Sequence, residues 1–119
     1  MRLAPLSELT CVREAAGSED DYNAIRLEVE RGRAALVEHA GCYCVLRLDP
    51  DGLCVVCAQG RSLLRIAPHI VKVARRLSAP SIVYHTQRPA LARHLSAYNF
   101  NLEMTDEYGY QVYRMVLHG

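Results

Sequence analysis

Two alternating apolar runs joined by Asp-Pro-Asp-Gly, CYCVLRLDPDGLCVVCAQG over residues 42–60, constrain this chain more than any other feature. They read as a β-hairpin. Pro50 supplies a φ near −65° and Gly52 a positive φ, which suits a type I turn closed by a bulge. With that register, Cys42, Cys44, Leu46 and Leu48 share a face with Cys54, Val56 and Ala58, and the face is apolar enough to lie on the core. Residues 62–78 follow with Leu63, Ile66, Ala67, Ile70, Val71, Ala74 and Leu77 at spacings of three and four, the mark of an amphipathic helix. Pro68 interrupts that stripe, so either one helix starts at Ser62 and contains it, or a shorter helix starts with Pro68 in its first turn. The unbroken stripe favours the first. SIVYH, 81–85, is a short strand of buried type. A strand, a helix and a second strand in that order imply a parallel pair joined by a crossover.

Around this centre, residues 5–16 read as a first helix stopped by Gly17. Ser18 with Asp21 three residues on resembles a capping box, and Tyr22, Ile25, Val29, Gly32 and Leu36 continue one stripe until His39 and Gly41. No first strand is evident ahead of the hairpin. Residues 87–98 read as a fourth helix with Pro89 in its first turn, and YQVYRMVL, 110–117, as a final strand. The chain of 119 residues is thus expected to be one α/β (α+β) domain spanning 1–119, with a mixed sheet, a central parallel strand pair and about four helices.

Composition sets the function classes. Half the residues are hydrophobic and 23% charged, which is globular rather than disordered. A formal net charge of +1 makes bulk attraction to nucleic acid unlikely to be the function. Arg61, Arg65, Lys72, Arg75 and Arg76 read as the solvated side of the long helix, without the interleaved aromatics of a single-strand binder. No apolar run nears the ~20 residues of a membrane span. With no signal-peptide core at the start, a soluble cytoplasmic protein is expected. Cys42, Cys44, Cys54 and Cys57 raise the question of a zinc site. Each pair lies inside a strand, however, with Cys54 and Cys57 expected on opposite faces, so these are read as buried free thiols and no metal is expected. Glu19, Asp20 and Asp21 sit at a helix start, where negative charge is favourable.

CAQGRS, 57–62, joins the second hairpin strand to the long helix. A helix N-terminus presents unpaired N–H groups and partial positive charge, so the turn can cradle phosphate, with Gly60 allowing close approach, Ser62 capping, and Arg61 or Arg65 adding charged hydrogen bonds. An ordinary strand-to-helix turn is the plainer reading. The order of elements over residues 53–117 resembles the acyl-CoA-binding half of the GNAT N-acetyltransferase superfamily. In that family a Q/R-x-x-G-x-G/A loop opens a long helix, and a second parallel strand, a helix and a terminal strand follow. This chain departs at Cys57 and Ser62 in the loop, and at Arg88, Leu91 and Leu95 in the later helix, with Asn99-Phe100 in place of Gly-Phe. The N-terminal half also looks reduced.

The resemblance implies transfer of an acetyl group from acetyl-CoA, or another acyl-CoA, to a small-molecule or protein amine. Backbone amides from Gln59 to Leu63 (Gln59, Gly60, Arg61, Ser62, Leu63) would hold the pyrophosphate, with Arg61 or Arg65 assisting. Leu95 stands at the family's proton-donating tyrosine, and Tyr98, one turn on, is the substitute candidate. His85, at the carboxyl end of the second parallel strand, is the candidate base, since imidazole titrates near neutrality. The alternative is a catalytically inactive GNAT-like module serving assembly or regulation, with the tyrosine-rich C-terminal strand as a homodimer or partner surface.

Overall fold

In the computed structural model, residues 1–60, 63–86, 100–107 and 109–117 are described. Seven strands form one sheet: β1 (Arg2–Leu3), β2 (Ala34–His39), β3 (Cys42–Asp49), β4 (Gly52–Gln59), β5 (Ser81–Thr86), β6 (Asn101–Thr105) and β7 (Gln111–Val116). Their order across the sheet is β1-β2-β3-β4-β5-β7-β6. Neighbours are antiparallel except β4 and β5, which are parallel. The described helical segments are a 3-10 helix at Leu6–Val12, α1 (Glu19–Glu30) and α2 (Leu63–Arg76). These are three where four were expected; the expected helix over 87–98 lies outside the described residues. None of the described helices is long and apolar enough to cross a membrane.

The mixed sheet with its central parallel pair agrees with the sequence reading. The N-terminal half does not. Leu36, expected on a helix, lies in β2, which pairs with β3 from Ala34–Arg47 to His39–Cys42. The helix stops at Glu30, and Gly32 follows at φ +74°. The four-residue step from Gly32 to Leu36 imitated a helical stripe across a true boundary. β2 is covered on both faces, so its sequence lacks the strict alternation that marks a half-exposed strand. With β1 and β2 present, the N-terminal half is not reduced. β6 was also missed: all five of its residues are exposed, so no buried face announces it.

The sheet lies between two apolar layers. Cys42, Cys44, Leu46, Leu53, Val55 and Tyr84 pack beneath Ile66, Ile70 and Ala74 of α2. Val45, Cys57 and Leu36 pack on the other side against Leu9, Val12, Tyr22 and Ile25 of the 3-10 helix and α1. α2 contains Pro68, so the longer of the two expected helices is present from Leu63 onward. Pro68 is exposed, where water can reach the carbonyl it leaves without a donor. Ser18 caps α1 as expected, its Oγ accepting the Asp21 N–H at 3.0 Å.

The expected cysteine faces need correction. Leu46 pairs with Val55, but Val45 pairs with Cys57, so Val56 is an extra residue on β4. This bulge turns Cys54 and Cys57 onto the same face, the α1 side, while Cys42 and Cys44 face α2. The four thiols divide between opposite sides of the sheet and cannot converge on one ion.

Candidate active site

The bulge at Val56 sits where the two parallel strands part. β4 pairs with β5 only at Leu53–Ile82, Cys54–Val83 and Val55–Tyr84. Beyond Val55, β4 continues to Gln59 alongside β3, while His85 and Thr86 of β5 continue alongside β7. The extra residue bends β4 towards β3, and the sheet opens as a wedge at the carboxyl ends of both strands. Open α/β sheets take ligands at such ends.

The wedge gives onto a cleft of about 870 Å³ on the α1 side of the sheet. Val56, Cys57 and Ala58 from β4 and His85 from β5 line its floor. Its outer wall is the connection from the 3-10 helix to α1, Glu14 through Ser18, together with α1 itself. Among the described residues, charge in the lining is one-sided: the carboxylates of Glu14, Asp20, Asp21, Glu28 and Asp106 stand against the guanidinium of Arg47. Arg47 is itself engaged, 3.1 Å from Glu28 and 2.8 Å from Asp49. Burial pushes the Cys57 thiol up to about 12 and the Cys54 thiol up to about 11, so both are neutral and weakly nucleophilic in the physiological range.

The sequence-predicted residues are distributed unevenly about this site. His85 lies on the cleft, exposed at the rim of the wedge. Arg65 is exposed in the first turn of α2, and Leu63 opens that helix. Arg61, Ser62 and Tyr98 lie outside the described residues. Gly60 is at the expected place for a different reason. Its φ is +135°, and a Cβ there would come within 2.6 Å of the Gly41 carbonyl oxygen and 2.7 Å of the Cys42 Cα. The position is glycine because the β2–β3 turn packs against it; the side a Cβ would occupy is filled with protein, not open to a ligand. Gln59 also differs from expectation. Its Oε1 accepts the Ala15 N–H at 3.0 Å, so the side chain reaches into the cleft wall.

Tyr110, placed by the sequence reading at the start of the final strand, carries no site role there. It lines the cleft, and its hydroxyl packs so closely on Gly17 that a Cβ there would lie 2.6 Å from it. Burial, then the carboxylates of Asp21 and Asp106, hold its phenol above the usual range, so it keeps its proton at neutral pH. Asp106 builds the turn that presents it: Asp106 Oδ1 accepts the Tyr110 N–H at 2.9 Å and the Asp106 N–H donates to the Tyr110 carbonyl at 2.8 Å. The pattern D-x-x-G-Y is a turn signal, but nothing in it says which way the tyrosine faces.

No family model matches the sequence, and no curated protein matches it. Solved structures do match the chain. An IAA acetyltransferase from Bacillus cereus superposes with a TM-score of 0.72 at 13% identity, over 98% of this chain and 97% of that one. The PaiA N-acetyltransferase from Thermoplasma acidophilum, solved with coenzyme A, gives 0.67 at 8% identity over 98% and 97%. A GNAT-family acetyltransferase from Listeria monocytogenes gives 0.64 at 16% identity over 98% and 93%. The chain has the GNAT fold. At these identities the likeness is one of architecture, and it extends through the N-terminal strands as well as the central crossover. The wedge and the acid-lined cleft lie together at the carboxyl end of the parallel strands on the α1 side of the sheet, and α2 packs on the opposite face.

Proposed function

We propose that the protein is an acyl-CoA-dependent N-acyltransferase that acetylates an aliphatic amine carrying more than one positive charge. One observation carries the reading: parallel strands part at a bulge, with His85 on the rim, into a cleft whose lining is dominated by carboxylates.

The residues present fit an acyl-CoA. β4 beyond Val55 has no β5 partner, so its edge is free to hydrogen-bond an extended amide-bearing arm. α2 has no acidic residue in its first turn, so a carboxylate does not compete for its N-terminal amides, and Arg65 stands at the same end. Backbone groups from Gln59 to Leu63, with Arg61 and Ser62, are the diphosphate-holding set. The bound acyl-CoA supplies an acyl thioester, and Tyr98 or Tyr110 is the available proton donor to the thiolate. His85 removes a proton from the acceptor ammonium or amine at the cleft floor. The carboxylates of Asp20, Asp21 and Glu14 raise the local concentration of cationic acceptors and hold a second ammonium. A linear polyamine fits as the acceptor, with Asp21 at the start of α1 facing one of its ammonium groups while Glu28 holds Arg47. The apolar faces of Ala24, Ile25 and Val56 suit its methylenes.

Acetyl-CoA is expected to raise the melting temperature by mass action. Acetylation of 1,4-diaminobutane should exceed that of butylamine, and the preference should shrink as salt is raised. His85→Gln should lower kcat by roughly 10²-fold or more while the acetyl-CoA dissociation constant stays within twofold. Millimolar acetyl-CoA without effect on melting would end this reading and leave a non-catalytic module on the same scaffold.

A further inference from the structure

Gln59 is the last residue of β4, opposite Tyr43, and the chain beyond it is fixed by Gly60 against the β2–β3 turn. Its main chain therefore belongs to the rigid end of the strand that leads into the start of α2. Its side chain does something else. Oε1 accepts the N–H of Ala15 at 3.0 Å. Ala15 lies in the connection between the 3-10 helix and α1, whose residues Glu14 through Ser18 form the outer wall of the cleft. The other backbone hydrogen bonds of that connection are local: Arg13 to Thr10, Ala16 to Val12, Gly17 to Glu14. Such bonds shape a turn, and Val12 and Ala16 seat it on the sheet by burial against Val45 and Cys57. The Gln59–Ala15 bond adds a directional tie between the connection's backbone and a strand 44 residues away in sequence.

We infer that Gln59 is a positioning residue for the acceptor: its amide oxygen sets the distance between the cleft's outer wall and the strand that leads to the acyl-CoA-holding turn. The inference rests on the acyl-transfer reading above. It assigns the side chain to acceptor binding and leaves only the main chain of Gln59 to the diphosphate, a different role from the one its place in the turn suggests. The chemistry asks for a hydrogen-bond acceptor on a long arm. Leucine has similar bulk and no acceptor. Glutamate keeps an oxygen at the same reach.

The test compares wild type, Gln59→Leu and Gln59→Glu with acetyl-CoA and 1,4-diaminobutane as substrates. Gln59→Leu should raise the KM for the diamine roughly tenfold, as loss of one hydrogen bond allows. Its KM for acetyl-CoA should change by a smaller factor than its KM for the diamine. Gln59→Glu should restore the diamine KM to the wild-type value or below. Amide hydrogen exchange at Ala15 should quicken at least tenfold in Gln59→Leu and not in Gln59→Glu, with exchange in β3 unchanged; this readout needs no turnover. If both KM values move together, or if Ala15 exchanges at the wild-type rate in Gln59→Leu, the assignment is overturned. A wild-type protein that neither binds acetyl-CoA nor turns over the amine overturns the acyl-transfer reading instead. The assignment to acceptor binding falls with it, and the exchange result then reports only the hydrogen bond.

Discussion

Gly60 shows how a glycine placed from sequence can answer to packing as well as to a ligand. A glycine between a strand and a helix suggests a ligand at the missing Cβ. Here the space is occupied by the Gly41 carbonyl and the Cys42 backbone. Gly60→Ala is therefore expected to destabilise the fold by about 3 kcal/mol or more, combining left-handed strain with a backbone clash. Gly32 makes the comparison, at φ +74° with open space around it; Gly32→Ala should cost only about 1–2 kcal/mol. Denaturant melts of the two variants without any ligand would decide between packing and ligand approach: equal costs would mean that Gly60 is not held by its neighbours. The same logic governs the other site residues. His85 could be found because strand ends are defined by sequence pattern. The Gln59–Ala15 bond and the inward-facing Tyr110 depend on which segments meet in space, and no local pattern of residues records that.

At the scale of elements, the hairpin was legible from the D-P-D-G turn between two apolar runs, the following strand from its short apolar run after Pro80, and the long helix from its single buried stripe. β2 was not, because Leu36 stands four residues after Gly32 and prolongs the helical spacing, and β6 was not, because all its residues are exposed. The cysteine faces failed for a third reason. Alternation counts residues, and the bulge at Val56 adds one without leaving any sign in the composition. That extra residue also allows a clean test of the wedge. Deleting Val56 would leave Leu46 opposite Val55 and Val45 opposite Cys57, now as consecutive pairs, and would turn no other β4 side chain to a different face. The variant should fold, with a melting temperature within a few degrees of wild type. A straight β4 would run closer to β5, however, and the free edge would narrow. Thermal stabilisation by acetyl-CoA should then fall at least tenfold in apparent affinity. Retention of that stabilisation would mean that the parting of the strands does not depend on the bulge. β7 is paired on both sides, so among the described residues the sheet ends at β6 and not at the tyrosine-rich strand.

For the whole molecule, the groups with shifted ionisation predict the shape of stability against pH. Glu8 is held below the usual carboxylate range by hydrogen bonds from Arg2 and Tyr43, Glu38 by the Gly41 N–H and Arg2, and Asp51 by Arg114. His69, beside His39 with ring centroids 4.2 Å apart and the rings tilted by 48°, is lowered by burial, then by His39, the amino terminus and Lys72. All four are depressed in the folded state. Their contributions are present above the unfolded values and are lost as pH falls through the folded ones. The sign reverses at high pH. Tyr43, held by Glu8, is pushed up to about 12, and burial raises the Cys54 and Cys57 thiols. These acids stay protonated longer in the folded chain, so stability declines as pH rises past the ordinary thiol value of 9.0. Melting temperature should accordingly be flat between the ordinary histidine value of 6.5 and that of a thiol, 9.0. A shoulder should appear on the acid side before the carboxylates protonate. His69→Phe, which keeps a ring against His39 and removes the titrating group, should erase that shoulder and leave the alkaline decline in place. A shoulder that survives in His69→Phe would assign the acid-side loss to the carboxylate network tying Arg2 and Glu8 to the sheet, and the imidazole pair would then be packing alone.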